Sequence, residues 1–461
     1  MKDRINDSHF RKELIQVALP VTVQALTQSS LSLIDQIMIG RLGSEAISGI
    51  GLAGKFTSIY SVILAAIVTT AGILISQYFG AKNKKGINSS FFLLLYSSVI
   101  FGIFFFVFSV FFPVKIMAVY SKDVPTILEA ASYLRWRAPG YFPIVGTMFI
   151  STMLRNMKKA KLPAVAGISS IIINTVLNWV LIFGIGIFPR LGSKGAALAT
   201  SISQIFEMFV VLFLFIGESK RQNIHLKPIF HFSYVFITKV RNILLPILAG
   251  EFLWALGENM YAVIYGHLGT EPCAAMTLMY PIQGIATGAL CGVANAAGII
   301  VGNSLGSGDD EKAWKNAMSF VRLTLCAGVL IGIFVWVISP FYVRLFKVPL
   351  ETRAVTIKIL AAFSVIFTAK VFNMVIGGGV LQSGGQTKFL TLINIIGTWG
   401  FGVPLGFVSA FVFHFPIWWV YFMLSLEEIV RVLISIKLLF SRKWMKNVTV
   451  EEKLEAKLAA L

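Results

Sequence analysis

Charge is what this sequence has least of. Only 13% of its 461 residues are Asp, Glu, Lys or Arg, while 56% are hydrophobic. A soluble globular chain carries about 25% charged residues, so this one belongs mostly in lipid. Cysteine is nearly missing too. The 3 present, Cys273, Cys291 and Cys326, sit in or beside apolar stretches without metal-ligand spacing. They read as small packing residues, which leaves neither a disulfide framework nor a zinc site. Acidic residues are few, 21 against 40 basic, for a net charge of +19. That surplus would suit nucleic acid if it formed a patch, but it does not. The basic residues fall in short connections between apolar runs.

A bilayer core about 30 Å thick needs roughly 20 apolar residues per crossing helix. Runs of that length cover 14–40, 50–79, 91–116, 127–154, 163–186, 195–217, 243–266, 274–304, 314–342, 354–381, 389–411 and 416–440. They predict an all-α integral membrane protein of twelve transmembrane helices, numbered here helix 1 to helix 12. If helix 1 enters from the cytoplasm, Arg11, Lys12, Lys82, Lys84, Lys85, Arg155, Lys158, Lys159, Lys220, Arg221, Lys239, Lys388, Arg442 and Lys446 lie inside. The opposite side holds fewer, among them Arg41, Lys115, Lys122, Arg190 and Arg344. By the positive-inside rule the expectation is a multi-pass protein of the cell membrane with both termini cytoplasmic. The first dozen residues are polar and lack a small-residue cleavage site, so helix 1 is expected to act as an uncleaved anchor.

The longest interruption, ESKRQNIHLKPIFHFSYVFITKVRN at 218–242, is basic and partly amphipathic. It predicts a cytoplasmic linker lying along the membrane surface. The organisation is then a six-helix lobe at 1–217, the linker, a second lobe at 243–440 and a cytoplasmic tail at 441–461. The tail's EEKLEAKLAAL reads as a short amphipathic helix.

The halves repeat. ALPVTVQALTQSSLSLIDQIMIGRLG from Ala18 aligns with LLPILAGEFLWALGENMYAVIYGHLG from Leu244, matching Pro20 to Pro246, Gly40 to Gly266 and Gly43 to Gly269. The shift of 226 residues carries on, matching Gly72 to Gly298 and Gly80 to Gly306. LRNMKKAK at Leu154 then meets LQSGGQTK at Leu381 with a shift of 227. An even number of helices per half makes the repeats parallel and pseudo-symmetric. Such doubled folds place the substrate near mid-membrane and work by rocking.

These stretches, with ILISQYFGAKNKKGI, NTVLNWVLIFG, GAALATSISQ, IIVGNSLGSGDDEKAW and LQSGGQTKF, resemble the MATE (multidrug and toxic compound extrusion) transporters of a larger flippase-containing superfamily. Each piece is soft; their order and spacing are specific together, over nearly the whole length. The resemblance implies two six-helix lobes around a central cavity. It also implies efflux of organic, often cationic compounds in exchange for protons or sodium ions, with no cofactor, and the expected unit is a monomer.

Ionisable residues at bilayer depth are costly and point to function. Gln24, Gln28 and Asp35 form one stripe of helix 1 at about 100° per residue. The resemblance makes Asp35 the cation or proton site. A structural aspartate is the other reading. Low dielectric favours the neutral form of a carboxyl group, which suits proton loading. Asn174 and Asn178 share a face of helix 5, where some MATE proteins have Asn-x-x-x-Asp. Asn178 in the second place removes one ionisable group, while its carbonyl remains available to sodium or to Asp35. Interhelical hydrogen bonding alone is the alternative.

In the second half, Glu251 and Glu258 on helix 7 and Lys370 on helix 10 form a possible charge site. Lys370 could neutralise either glutamate in a structural pair, or take part in coupling. Unpaired, it would repel a cationic substrate. Shifting the helix 1 stripe by 226 lands on Gly250, Trp254 and Tyr261, which suggests an aromatic substrate face with Glu251 and Glu258 turned about 100° away. Plain aromatic packing is the other reading. Glu207, Glu427, Glu428 and Arg431 read as structural, the last three pairing along helix 12.

Gly49-x-x-x-x-Gly54-Lys55 nearly spells a phosphate-binding loop, but Phe56 replaces the metal-binding Ser or Thr and the context is apolar helix. No catalytic constellation or channel filter is found, so an enzyme or channel is not expected. The remaining alternative is a flippase for lipid-linked saccharides. The Gln, Asn and Asp of the cavity speak against its anionic cargo.

Overall fold

The structure, a computed structural model, describes residues 2–40, 42, 44–344 and 349–449, without the side chains of 2–9, 32–37, 44, 45, 47, 270, 271, 273 and 274. The side chains of Asp35 and Cys273 and the expected tail helix at 451–461 therefore lie outside the described residues. All regular structure among the described residues is helical.

Among the described residues the helices group into twelve crossings. Helix 1 spans Lys2–Gly40, helix 2 Ser44–Gly80, helix 3 Lys84–Phe111, helix 5 Lys161–Phe183 and helix 6 Ser193–Arg221. Helix 7 spans Tyr234–His267, helix 8 Thr270–Gly306, helix 9 Asp310–Arg344, helix 10 Leu350–Leu381 and helix 11 Thr387–Val412. Helix 4 is made of Val124–Arg137 and Tyr141–Asn156, and helix 12 of Ile417–Ser425 and Glu427–Phe440. Among the described residues, nine helices are individually long and apolar enough to cross a bilayer; the other crossings are helices 1, 4 and 12. Several helices outrun their apolar runs because polar turns continue the backbone ladder past the hydrocarbon. Helix 7 begins nine residues before the expected 243.

Helix 4 was expected to be continuous over 127–154. It is broken by a 3-10 turn at Ala138–Gly140 around Pro139, since proline cannot donate to the preceding turn. Neighbouring hydroxyls use nearby carbonyls. Ser201 Oγ donates to Trp136 O at 3.0 Å and Tyr60 Oη to Tyr141 O at 2.8 Å. Helix 5 stops at Gly184, whose φ of 72° closes the last turn onto Val180 O.

The chain forms two compact units, one of Val23–Ile75 with Lys84–Ser233, the other of Met1–Thr22, Ser76–Asn83 and Tyr234–Leu461. In the first, the linker is shorter than expected and not helical over 224–233. It is strapped to helix 3. The Asn88 amide donates to Lys227 O at 2.7 Å and accepts from Lys227 N at 3.0 Å, and Phe230 stacks on Tyr96.

In the second unit the ends of helices 2 and 8 meet through glycine. A Cβ on Gly80 would lie 2.0 Å from Asn303 O, and one on Gly306 would lie 1.9 Å from Gln77 O. The repeat makes Gly80 and Gly306 equivalent, and likewise Gln77 and Asn303, so the two contacts are reciprocal. The tail locks onto the same place. The fully buried Gln77 donates to Ser383 O at 2.7 Å and Lys446 O at 3.1 Å, and accepts from Val448 N at 2.7 Å. Trp444 is fully buried beside Gly384, where no side chain would fit.

Candidate transport site

Each unit carries its own polar centre inside the apolar bundle. In the first unit the described contact between helices 5 and 6 is a chain of two amides and a hydroxyl. Buried Asn178 donates to Asn174 Oδ1 at 3.2 Å, and Asn174 donates to Thr200 Oγ1 of helix 6 at 3.4 Å. These lie one helical turn apart, as their spacing required. Gln24 packs over Gly167, where an added Cβ would meet Gln24 Nε2 at 2.2 Å and Glu207 Oε1 at 3.3 Å. Gln28 is exposed further along helix 1.

The second unit holds a cavity of about 650 Å³, lined by Glu251, Trp254 and Glu258 of helix 7, Lys370 and Asn373 of helix 10, and Glu428 and Arg431 of helix 12, among others. A smaller cavity of about 40 Å³ shares Glu258, Lys370 and Glu428 with it and adds Tyr261. This corrects the expected separation on helix 7. Residues 251, 254, 258 and 261 follow a three–four spacing, so both carboxylates share the stripe with the aromatics. Trp254 is exposed to the cavity, whereas Tyr261 is buried.

Tyr261 is held by charge. Its hydroxyl donates to Glu427 Oε2 at 2.7 Å, and Arg431 lies 3.2 Å from the same oxygen and 3.9 Å from Glu428. Arg431 also donates to Thr398 Oγ1. The Asn373 amide donates to Glu428 Oε2 and to Glu428 O, both at 2.8 Å. Helix 11 makes room by winding as a π-helix over Ile396–Gly402. A Cβ on Gly397 would sit 2.5 Å from Arg431 Nε, and one on Gly402 would sit 2.1 Å from Tyr261 Oη. Glu427, Glu428 and Arg431 are each less than a tenth exposed.

Lys370, read from sequence as a possible partner of Glu251 or Glu258 or a coupling residue, lies instead beside helix 12. Its ammonium lies 3.9 Å from Glu428 Oε1 and pairs with neither Glu251 nor Glu258. Among the described residues, neither of those glutamates enters an ion pair. The cavity thus holds, among the described residues, two carboxylates without an ion-pair partner, beside the partly exposed Trp254. Asn373, Thr398 and the lining role of Glu428 and Arg431 were missed from sequence. The adjacent Glu427 and Glu428 in an apolar helix were the available signal.

The comparisons with known proteins agree with the doubled architecture. The family model MatE matches residues 20–180 and again 246–408, starting at the paired prolines. The chain is 21% identical over 446 residues to the uncharacterized transporter YisQ of Bacillus subtilis, covering 94% of this chain and 95% of that protein. It is 23% identical over 442 residues to the probable multidrug resistance protein NorM of Thermotoga maritima, covering 95% and 94%. A crystal structure of MATE in complex with MaL6 superposes with a TM-score of 0.85 at 18% identity, over 94% of this chain and 96% of that one. With two copies of the family's unit in register with its own internal repeat, the chain belongs to the MatE family of membrane transporters.

Proposed function

We propose that the protein is a secondary active efflux transporter for organic, amphipathic cations, driven by exchange for protons or sodium ions through alternating access. It needs no cofactor, acts as a monomer and sits in the cell membrane with both termini cytoplasmic. The observation that carries the reading is the second-unit cavity. Among the described residues Glu251 and Glu258 enter no ion pair and line the cavity with Trp254, while Lys370 lies beside Glu428. Carboxylates attract a cation, and an indole face adds about 0.5–2 kcal/mol. Coupling is assigned to Asp35 with Asn174 and Asn178, where amide oxygens can share an ion or orient the carboxyl. Relatives named for multidrug resistance support the drug-efflux reading. The flippase alternative is not favoured.

The test is transport in proteoliposomes with an imposed pH or sodium gradient. Wild type should expel a fluorescent organic cation under one of the two gradients, and Asp35→Asn should lose gradient-driven efflux. Undiminished efflux by the variant removes Asp35 from coupling, and indifference to both gradients sinks the antiport reading.

A further inference from the structure

The cavity of the second unit does more than favour positive charge, because its two helix 7 carboxylates stand at a fixed interval. Glu251 and Glu258 both line it, and Trp254 of the same helix lines it between them. A helix rises roughly 1.5 Å per residue, so seven residues set the two backbones about 10 Å apart. The three–four spacing puts all three side chains on one face. The indole is 43% exposed and Glu258 is exposed as well. One strip of carboxylate, ring and carboxylate therefore faces the open space.

Charge sets how many positive groups that strip takes. On helices 10 and 12, Arg431 lies 3.2 Å from Glu427 Oε2 and Lys370 lies 3.9 Å from Glu428 Oε1. Two anions against two cations leave that cluster without net charge. Glu251 and Glu258 stand outside it, since among the described residues neither enters an ion pair. The basic residues whose side chains are not described, Lys2, Arg4, Arg41, Lys347, Lys453 and Lys457, all fall outside the apolar runs of the sequence. Two positive groups on one molecule balance the pair of carboxylates, and the part that joins them crosses the indole. The cavity's 650 Å³ suits a drug-sized ligand. We propose, resting on the reading of this cavity as the transport site, that its cargo is an elongated organic dication with positive groups about 10 Å apart on an apolar spacer. One group lies at Glu251, the other at Glu258, and the spacer on Trp254. Once one end is bound, the second contact is intramolecular, so a matched span gains affinity that a short span cannot reach.

Isothermal titration of the full-length protein in detergent tests this with three probes: octyltrimethylammonium, the bis(trimethylammonium) derivative of octane, and that of ethane. The octane dication should bind at least about tenfold more tightly than the octyl monocation. The ethane dication, too short to reach both carboxylates, should show no such gain. Glu251→Gln and Glu258→Gln should each erase the advantage of the octane dication, since either leaves one carboxylate. Equal affinity for the two octane ions, an equal gain for the ethane dication, or an advantage intact in both variants overturns the proposal. If a variant does not fold, the wild-type comparison of the three ions decides alone. Equal binding of the monocation leaves the cavity as a cation site and removes only the dication. Binding of none of the three removes the reading of the cavity as the transport site as well.

Discussion

The two halves of this chain share a backbone plan and differ in the chemistry of their polar centres. In the first, Asn174, Asn178 and Thr200 form a chain of neutral hydrogen bonds. In the second, Tyr261, Lys370, Glu427, Glu428 and Arg431 form an ionic network that helix 11 accommodates by π winding. Neutral amides can be exchanged for one another or for water at small cost. A buried ion network cannot lose one member cheaply, because the others keep their charge in low dielectric. The repeated halves therefore hold their polar groups by different means, amide hydrogen bonds in one and an ionic network in the other.

The strongest way to break that contrast is Arg431→Ala, which strands Glu427 and Glu428 without their shared cation. Destabilisation of about 3–5 kcal/mol is expected, read as a large fall in the unfolding midpoint in detergent. A midpoint near wild type would mean the network is not a fixed unit. Next comes Glu258→Gln, which removes one cavity carboxylate that enters no ion pair among the described residues. Apparent affinity for a monovalent organic cation should fall about tenfold, while a neutral analogue of the same shape is unaffected. Equal loss for both would argue against charge recognition. Trp254→Ala should weaken the same cation by about 0.5–2 kcal/mol, seen as quenched-fluorescence binding curves displaced to higher concentration. The smallest effect belongs to the amide chain. Asn178→Ala removes interhelical hydrogen bonding worth about 0.6 kcal/mol in membranes, a shift of the unfolding midpoint well below that of Arg431→Ala. If Asn178→Ala proved as damaging as Arg431→Ala, the comparison between the halves would fall.

Much of the fold was legible because its signals are local or periodic. Apolar runs gave the crossings, and the constant spacing of Pro20 from Pro246 and of Gly80 from Gly306 gave the repeat. The break at Pro139 is marked in the sequence by the proline itself and by Arg135 and Arg137 just before it. The ionic centre was only half legible. Glu427, Glu428 and Arg431 lie within one turn and their pairing followed from spacing. Their partners Tyr261, Thr398 and Asn373 stand 166, 33 and 55 residues away, and no pattern along the chain links them. The π winding of helix 11 had its only hint in Gly397 and Gly402, glycines whose need appears once Arg431 and Tyr261 are seen against them. For Lys370 the sequence offers Glu251 or Glu258 of helix 7 as a partner or a role in coupling, whereas the ammonium lies 3.9 Å from Glu428 of helix 12, which no spacing along the chain links to it.

The reciprocal contact between Gly80 and Asn303 and between Gly306 and Gln77 has the form of an isologous dimer interface, in which each copy gives what it receives. Here both copies lie on one chain, as if two subunits of an ancestral pair had been fused while their handshake was kept. A lone substitution in such a pair meets an unchanged partner. Gly80 and Gly306 are therefore constrained together, because at each a backbone carbonyl of the other helix fills the space a side chain would need.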